Sequence, residues 1–216
     1  GDVVERVQTE EAQQLLQHAT LITISAGANN LLPLVSHNPQ QGTIRFSQLT
    51  ANFALNKARK DYMELLQLIN QIAPDADVYV MGYYFPYVSV HEEQLAGVTE
   101  QLDVLNDILA NVANDYDATF INVSFGDQTS RYLPNVADVH PNMEGYMVMA
   151  NAFLQERGLM PLNATQLPQP NPFTFEEILQ MQQSQQPTTE QQVAVKPIEN
   201  YVVYYGYDQF KRLFLS

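Results

Sequence analysis

Apolar residues recur at steps of three and four over residues 52–70, where Leu55, Ala58, Tyr62, Leu65, Leu66 and Ile69 share one helical face. The same period returns over 92–114, with Leu95, Val98, Leu102, Leu105, Leu109 and Val112. Shorter helices are predicted at 10–18, from Ala12, Leu15 and Leu16, and at 145–156. Between them lie short apolar runs bounded by turn residues. Leu21–Ser25 is closed by Gly27, 78–84 by Pro86, and 119–124 leads into a loop over 126–135. Strands alternating with helices predict a parallel sheet covered on both faces. Catalytic loops of such sheets sit at the carboxyl ends of the strands. Asn29 and Asn30 fall at one such end, and His140 follows the last strand.

The pattern breaks near Pro161. Residues 166–192 are rich in Gln and Pro and read as an extended arm. Within it, Thr174-Phe175-Glu176-Glu177 has the form of a capping box for a short helix through Met181. Tyr201-Val202-Val203-Tyr204-Tyr205 then reads as one more strand. The organisation expected is a main domain over 1–160, an arm over 161–192 and a tail over 193–216.

Composition narrows the partners. The 216 residues are 45% hydrophobic, with 12 Tyr and 10 Phe, enough for one medium α/β core with additions. A net charge of −14 argues against nucleic acid and against electrostatic attachment to anionic membrane. The chain has no cysteine, so disulfides, thiol catalysis and Cys-held metal are excluded. No stretch reaches the roughly 20 apolar residues of a membrane span. His18, His37, His91 and His140 show no metal-ligand spacing, and no Gly-rich phosphate cradle is present. No cofactor or metal is implied.

Two segments carry candidate chemistry. In Asp138-Val139-His140-Pro141-Asn142-Met143-Glu144-Gly145-Tyr146 a carboxylate and an imidazole precede a Pro turn and a helix. A His held there can serve as a general base. In Gly27-Ala28-Asn29-Asn30 an amide sits on the turn after a strand. Taken by itself, such a tetrapeptide is more often an Asx turn with no chemistry. Together the segments resemble the third and fifth blocks of the SGNH/GDSL family of serine esterases and lipases. The third block, Gly-x-Asn-Asp, is matched at 27–30 with Asn at position 30. The fifth, Asp-x-x-His-Pro, is matched at His140-Pro141, with Asp138 two residues before the His and Ala137 at the usual Asp place. The resemblance spans about residues 1 to 158. It implies a flavodoxin-like doubly wound parallel sheet of the SGNH hydrolase type. It further implies that His140 is the base, Asp138 its orienting acid and Asn29 an oxyanion-hole donor, acting on a small-molecule or lipid ester.

The family's first block, Gly-Asp-Ser on a central strand, has no counterpart. None of Ser25, Ser36, Ser47, Ser89, Ser124, Ser130, Ser184 and Ser216 follows Gly-Asp. Gly126-Asp127 continues with Gln128, and Gly206-Tyr207-Asp208-Gln209 contains no Ser. The expectation is a chain without its N-terminal central strand and nucleophile, carrying a C-terminal extension. An apolar strand such as Leu21–Ser25 then needs a neighbour on its open edge. An N-terminal piece of the same protein, the Tyr201–Tyr205 strand, or a second copy could provide it. Two functions follow: an acylhydrolase completed by a Ser from outside these residues, or a non-catalytic structural or interaction domain, with this chain alone inactive. The resemblance to Gram-positive members implies a secreted or cell-surface location, and a Cys-free chain also fits the cytoplasm.

Overall fold

The computed structural model describes residues 2–136, 138–167 and the backbone of 201–205. Chain order begins with α1 (Asp2–Val7), α2 (Glu10–Leu16) and β1 (Leu21–Ser25). A small antiparallel hairpin, β2 (Ser36–Asn38) and β3 (Thr43–Arg45), precedes α3 (Gln48–Ile72). Then come β4 (Asp77–Met81), α4 (Glu92–Asp115), β5 (Thr119–Ile121), α5 (Thr129–Tyr132), α6 (Met143–Glu156) and β6 (Tyr201–Tyr205).

The main sheet runs β5-β4-β1-β6 with every pairing parallel. Period-two alternation sends Ile22, Ile24, Val78 and Val80 to one face. There they meet the buried stripe of α3 (Leu55, Tyr62, Leu66, Ile69) and that of α4 (Leu105, Leu109, Val112). On the opposite face Met81 and Ile121 pack with Val148, Met149 and Phe153 of α6. Both faces are covered, as the alternation predicts.

The predicted strand at Leu21–Ser25 has its expected bounds. The helix predicted at 52–70 starts earlier, because the Ser47 side chain accepts from Thr50 N and caps it. The strand predicted at 78–84 stops at Met81. Beyond it the Tyr83 backbone is taken by the Asn106 side chain, N to Oδ1 at 2.8 Å and O from Nδ2 at 2.8 Å. The expected Tyr201–Tyr205 strand pairs with β1, with Ser25 opposite Tyr205. It hydrogen-bonds the edge of β1 that β4 leaves open. The helix expected after Thr174 lies outside the described residues. None of the described helices is long and apolar enough to cross a membrane.

Candidate active site

The His140 loop is built by local rules. Pro141 disfavours helical backbone at His140, and Pro141 itself is buried. Asn142 caps α6, its Oδ1 accepting from Gly145 N at 3.0 Å. It also ties the loop to α5, through its backbone N to Tyr132 O at 2.8 Å and its Nδ2 to Arg131 O at 2.9 Å. Gly145 is required sterically: a Cβ there would meet Pro141 Cβ at 2.6 Å and Tyr132 Cβ at 3.0 Å. Arg131 and Glu144 close the outside of the loop with bonds of 2.8 and 3.0 Å.

Within this frame Asp138 Oδ1 lies 2.6 Å from His140 Nδ1 and accepts the His140 backbone N–H at 3.0 Å. Partial burial works to raise the Asp138 carboxyl, but the bonds and charge of His140 and the Val139 N–H outweigh it. The carboxyl sits below its ordinary value. An ionised Asp138 accepts a hydrogen bond from Nδ1–H, which leaves Nε2 as the basic nitrogen. The loop has a further tie that the sequence does not advertise. Tyr84, three residues past β4, donates its hydroxyl to Val139 O at 2.7 Å. Its ring stacks on Phe125, centroids 4.3 Å apart. Burial, then the neighbouring Tyr146, Tyr83 and Asp138, raises this phenol, so it stays a donor.

Asn29 stands on the 3-10 turn Ala28–Asn30 at the carboxyl end of β1. Gly27 enters this turn at φ +117°, a conformation that L side chains rarely adopt. Two tyrosines hold the turn, Tyr62 buried and Tyr83 half-buried. Tyr62 donates to Ala26 O at 2.6 Å and accepts from Ala26 N at 3.3 Å. Tyr83, pushed up to about 12 by burial, also bonds the Ala28 backbone and the Ser25 side chain.

Both segments open on one cavity of about 760 Å³ at the carboxyl ends of the strands, lined by Ser25, Asn29 and His140 among others. Asp138 stands behind His140. The structure therefore brings the three sequence-predicted site residues together. Sequence reasoning missed Tyr62, Tyr83, Tyr84 and Asn106, which position the two turns from distant segments. The one signal was the pair Tyr83-Tyr84, polar aromatics at the end of an apolar run; nothing in the sequence marks Tyr62 or Asn106 as positioning residues.

Comparison with known proteins agrees with this architecture. The GDSL-like lipase/acylhydrolase family matches residues 1–148. Among solved structures, the lipase Lip_vut3 from a goat rumen metagenome aligns at 18% identity with a TM-score of 0.57, covering 70% of each chain. An acetyl-xylooligosaccharide esterase mutant from Geobacillus Stearmophilus aligns at 14% identity and TM-score 0.48, over 74% of this chain and 70% of that one. An extracellular lipase from Streptomyces rimosus aligns at 21% identity and TM-score 0.42, over 61% and 67%. No curated protein matches in sequence. The first likeness shows the shared fold, and the family match covers more than half of the chain: this protein belongs to the GDSL-like lipase/acylhydrolase family, whose function is of the SGNH esterase type.

Proposed function

We propose that this chain supplies the base, the orienting acid and an oxyanion donor of a serine acylhydrolase, and that the nucleophilic Ser comes from outside these 216 residues. The observation that carries the reading is the 2.6 Å Asp138–His140 contact at a cavity that Asn29 also lines. The Ser Oγ attacks the ester carbonyl carbon while His140 Nε2 takes its proton. The carbonyl oxygen becomes an oxyanion, to which the Asn29 amide donates. On collapse the alcohol leaves with the proton from His140. Water then repeats the sequence on the acyl-serine, releasing the acid and restoring the Ser. Asp138 holds the tautomer and balances the imidazolium charge without taking the proton.

The test uses p-nitrophenyl esters. The 216-residue chain is expected to stay at background. Extending it upstream with its own reading frame, bearing Gly-Asp-Ser, is expected to restore turnover that His140→Ala abolishes. Hydrolysis by the chain alone, lost in His140→Ala, would put the nucleophile within it. An extended protein that bears the Ser and turns over nothing would favour the non-catalytic interaction domain instead.

A further inference from the structure

We propose that the cavity selects uncharged esters with a long aliphatic acyl chain, and that Leu34 and Phe46, which flank the β2–β3 hairpin and are held in place by it, form with Phe85 and Tyr87 after β4 the wall that makes this choice. The inference rests on the acylhydrolase reading above. The cavity, at about 760 Å³, lies toward the large end of small-molecule sites, and an acetyl group would fill a small part of it. Among the described residues that line it, only His140 can carry a charge. Its polar side chains are largely committed: Ser25 is bonded to Tyr83, and Gln101 accepts from Gln48 at 3.1 Å. A sugar ring needs converging donors and acceptors that this lining does not offer. A hydrocarbon chain needs apolar area, which the lining supplies.

The wall is preformed. Ile44 of the hairpin is buried, and its N–H is taken by Gln94 Oε1 at 2.8 Å. His91 N donates to Gly42 O at 2.8 Å, and His37 Nε2 lies 3.3 Å from Ser89 O. The His37 ring packs on Tyr87 at 4.8 Å between centroids. Leu34 leads into the hairpin and Phe46 leads out of it. Both line the cavity and both remain half-buried, as do Phe85 and Tyr87 of the segment to which the hairpin is tied. Their apolar surface is withheld from the core and is available to a ligand. The net charge of −14 disfavours anionic lipids and so favours a neutral ester.

The test is calorimetric titration of the full chain with 2-alkanones from four to twelve carbons, neutral carbonyl compounds that cannot be hydrolysed. Burial of each methylene is expected to tighten binding by about two- to fourfold, so 2-decanone, six methylenes longer, should bind at least about sixtyfold tighter than 2-butanone. Xylose tetraacetate, the acetyl-sugar arm, should bind more weakly than 2-decanone. Leu34→Gln should weaken 2-decanone about tenfold and leave 2-butanone unchanged. If that variant does not fold, the chain-length series on the unaltered protein still decides. A flat series, or tighter binding of the acetylated sugar, overturns the proposal. No bond is cleaved in this assay. Chain-length-dependent binding without ester turnover in the extended protein would therefore sink the catalytic reading alone. Turnover indifferent to chain length would sink this inference alone.

Discussion

Tyr84→Phe removes one oxygen and keeps the ring that stacks on Phe125 at 4.3 Å. What is lost is the 2.7 Å bond to Val139 O, one residue before His140 and 55 positions away in sequence. A typical net hydrogen bond is worth about 0.5–1.5 kcal/mol, and Val139 is half-buried, so its carbonyl can be partly rehydrated. For a domain of this size that amounts to a fall in Tm of about 1–6 °C. Global stability is the less informative readout. The His140 amide donates to Asp138 Oδ1 at 3.0 Å, so its hydrogen exchange reports directly on the loop. Tyr84→Phe should speed exchange at His140 by more than it speeds exchange at the fully buried Ile22 and Leu66. The Asp138–His140 pair should then be held less tightly although neither residue has changed. If Tm falls while exchange at His140 follows Ile22 and Leu66, the hydroxyl supports the fold in general and not the candidate base. If neither changes, the bond contributes nothing.

Gly145→Ala should cost about 1–3 kcal/mol, read by urea unfolding, because its Cβ would press within 2.6 Å of Pro141 Cβ in a buried turn. An unchanged midpoint would mean that the close approach relaxes freely. Leu109→Ala, at a fully buried position of α4 in the main core, should cost about 2–5 kcal/mol in the same assay; a loss below about 1 kcal/mol would refute that packing. Asp138 is lowered in the folded chain, so its pairing adds stability above the unfolded value of about 3.9 and loses it as pH falls through the lowered folded value. Its side chain is 46% exposed, so the contribution is screened and small, and Asp138→Asn should flatten only that part of the acid limb. An identical acid limb in the variant would contradict the shift. Deleting residues 193–216 unpairs one edge of β1 and should lower solubility or promote self-association, read by light scattering. Equal solubility and an equal urea midpoint would make β6 a passive appendage.

The long elements were legible because one energy term dominates them. All six residues the period selected in α3 are buried, and in α4 Val98, Leu105, Leu109 and Val112 are buried while Leu95 and Leu102 are half-buried, since burial on a single face is the main stabilisation of both helices. The hairpin was not legible. Ser36-His37-Asn38 and Thr43-Ile44-Arg45 contain one apolar residue between them, so no period exists to read. Its order comes from bonds to Ser89, His91 and Gln94, about fifty positions away. The start of α3 was hidden for a related reason. Leu49 and Phe53, at 67% and 69% exposure, lie outside the buried stripe and obscure where the helix begins.

The site divides along the same line. Asp138 and His140 are two residues apart, so their contact follows from one tight turn and could be expected from sequence alone. What aims that turn cannot be expected so, because Tyr84 and the Arg131 and Tyr132 carbonyls reach the loop through tertiary contacts. The edge of β1 lies between these cases. That Leu21–Ser25 needs a neighbour follows from backbone chemistry, since its unpaired donors and acceptors cannot be left in an apolar setting. Which segment answers that need does not follow from local sequence, because several supply β-forming residues. The structure pairs it with Tyr201–Tyr205, whose Val and Tyr residues suit a sheet. Parallel pairing runs that strand toward the same edge of the sheet as Asn29. A strand from the far end of the sequence thus lies beside the one that carries the candidate oxyanion donor, and a change there would act on the site through β1.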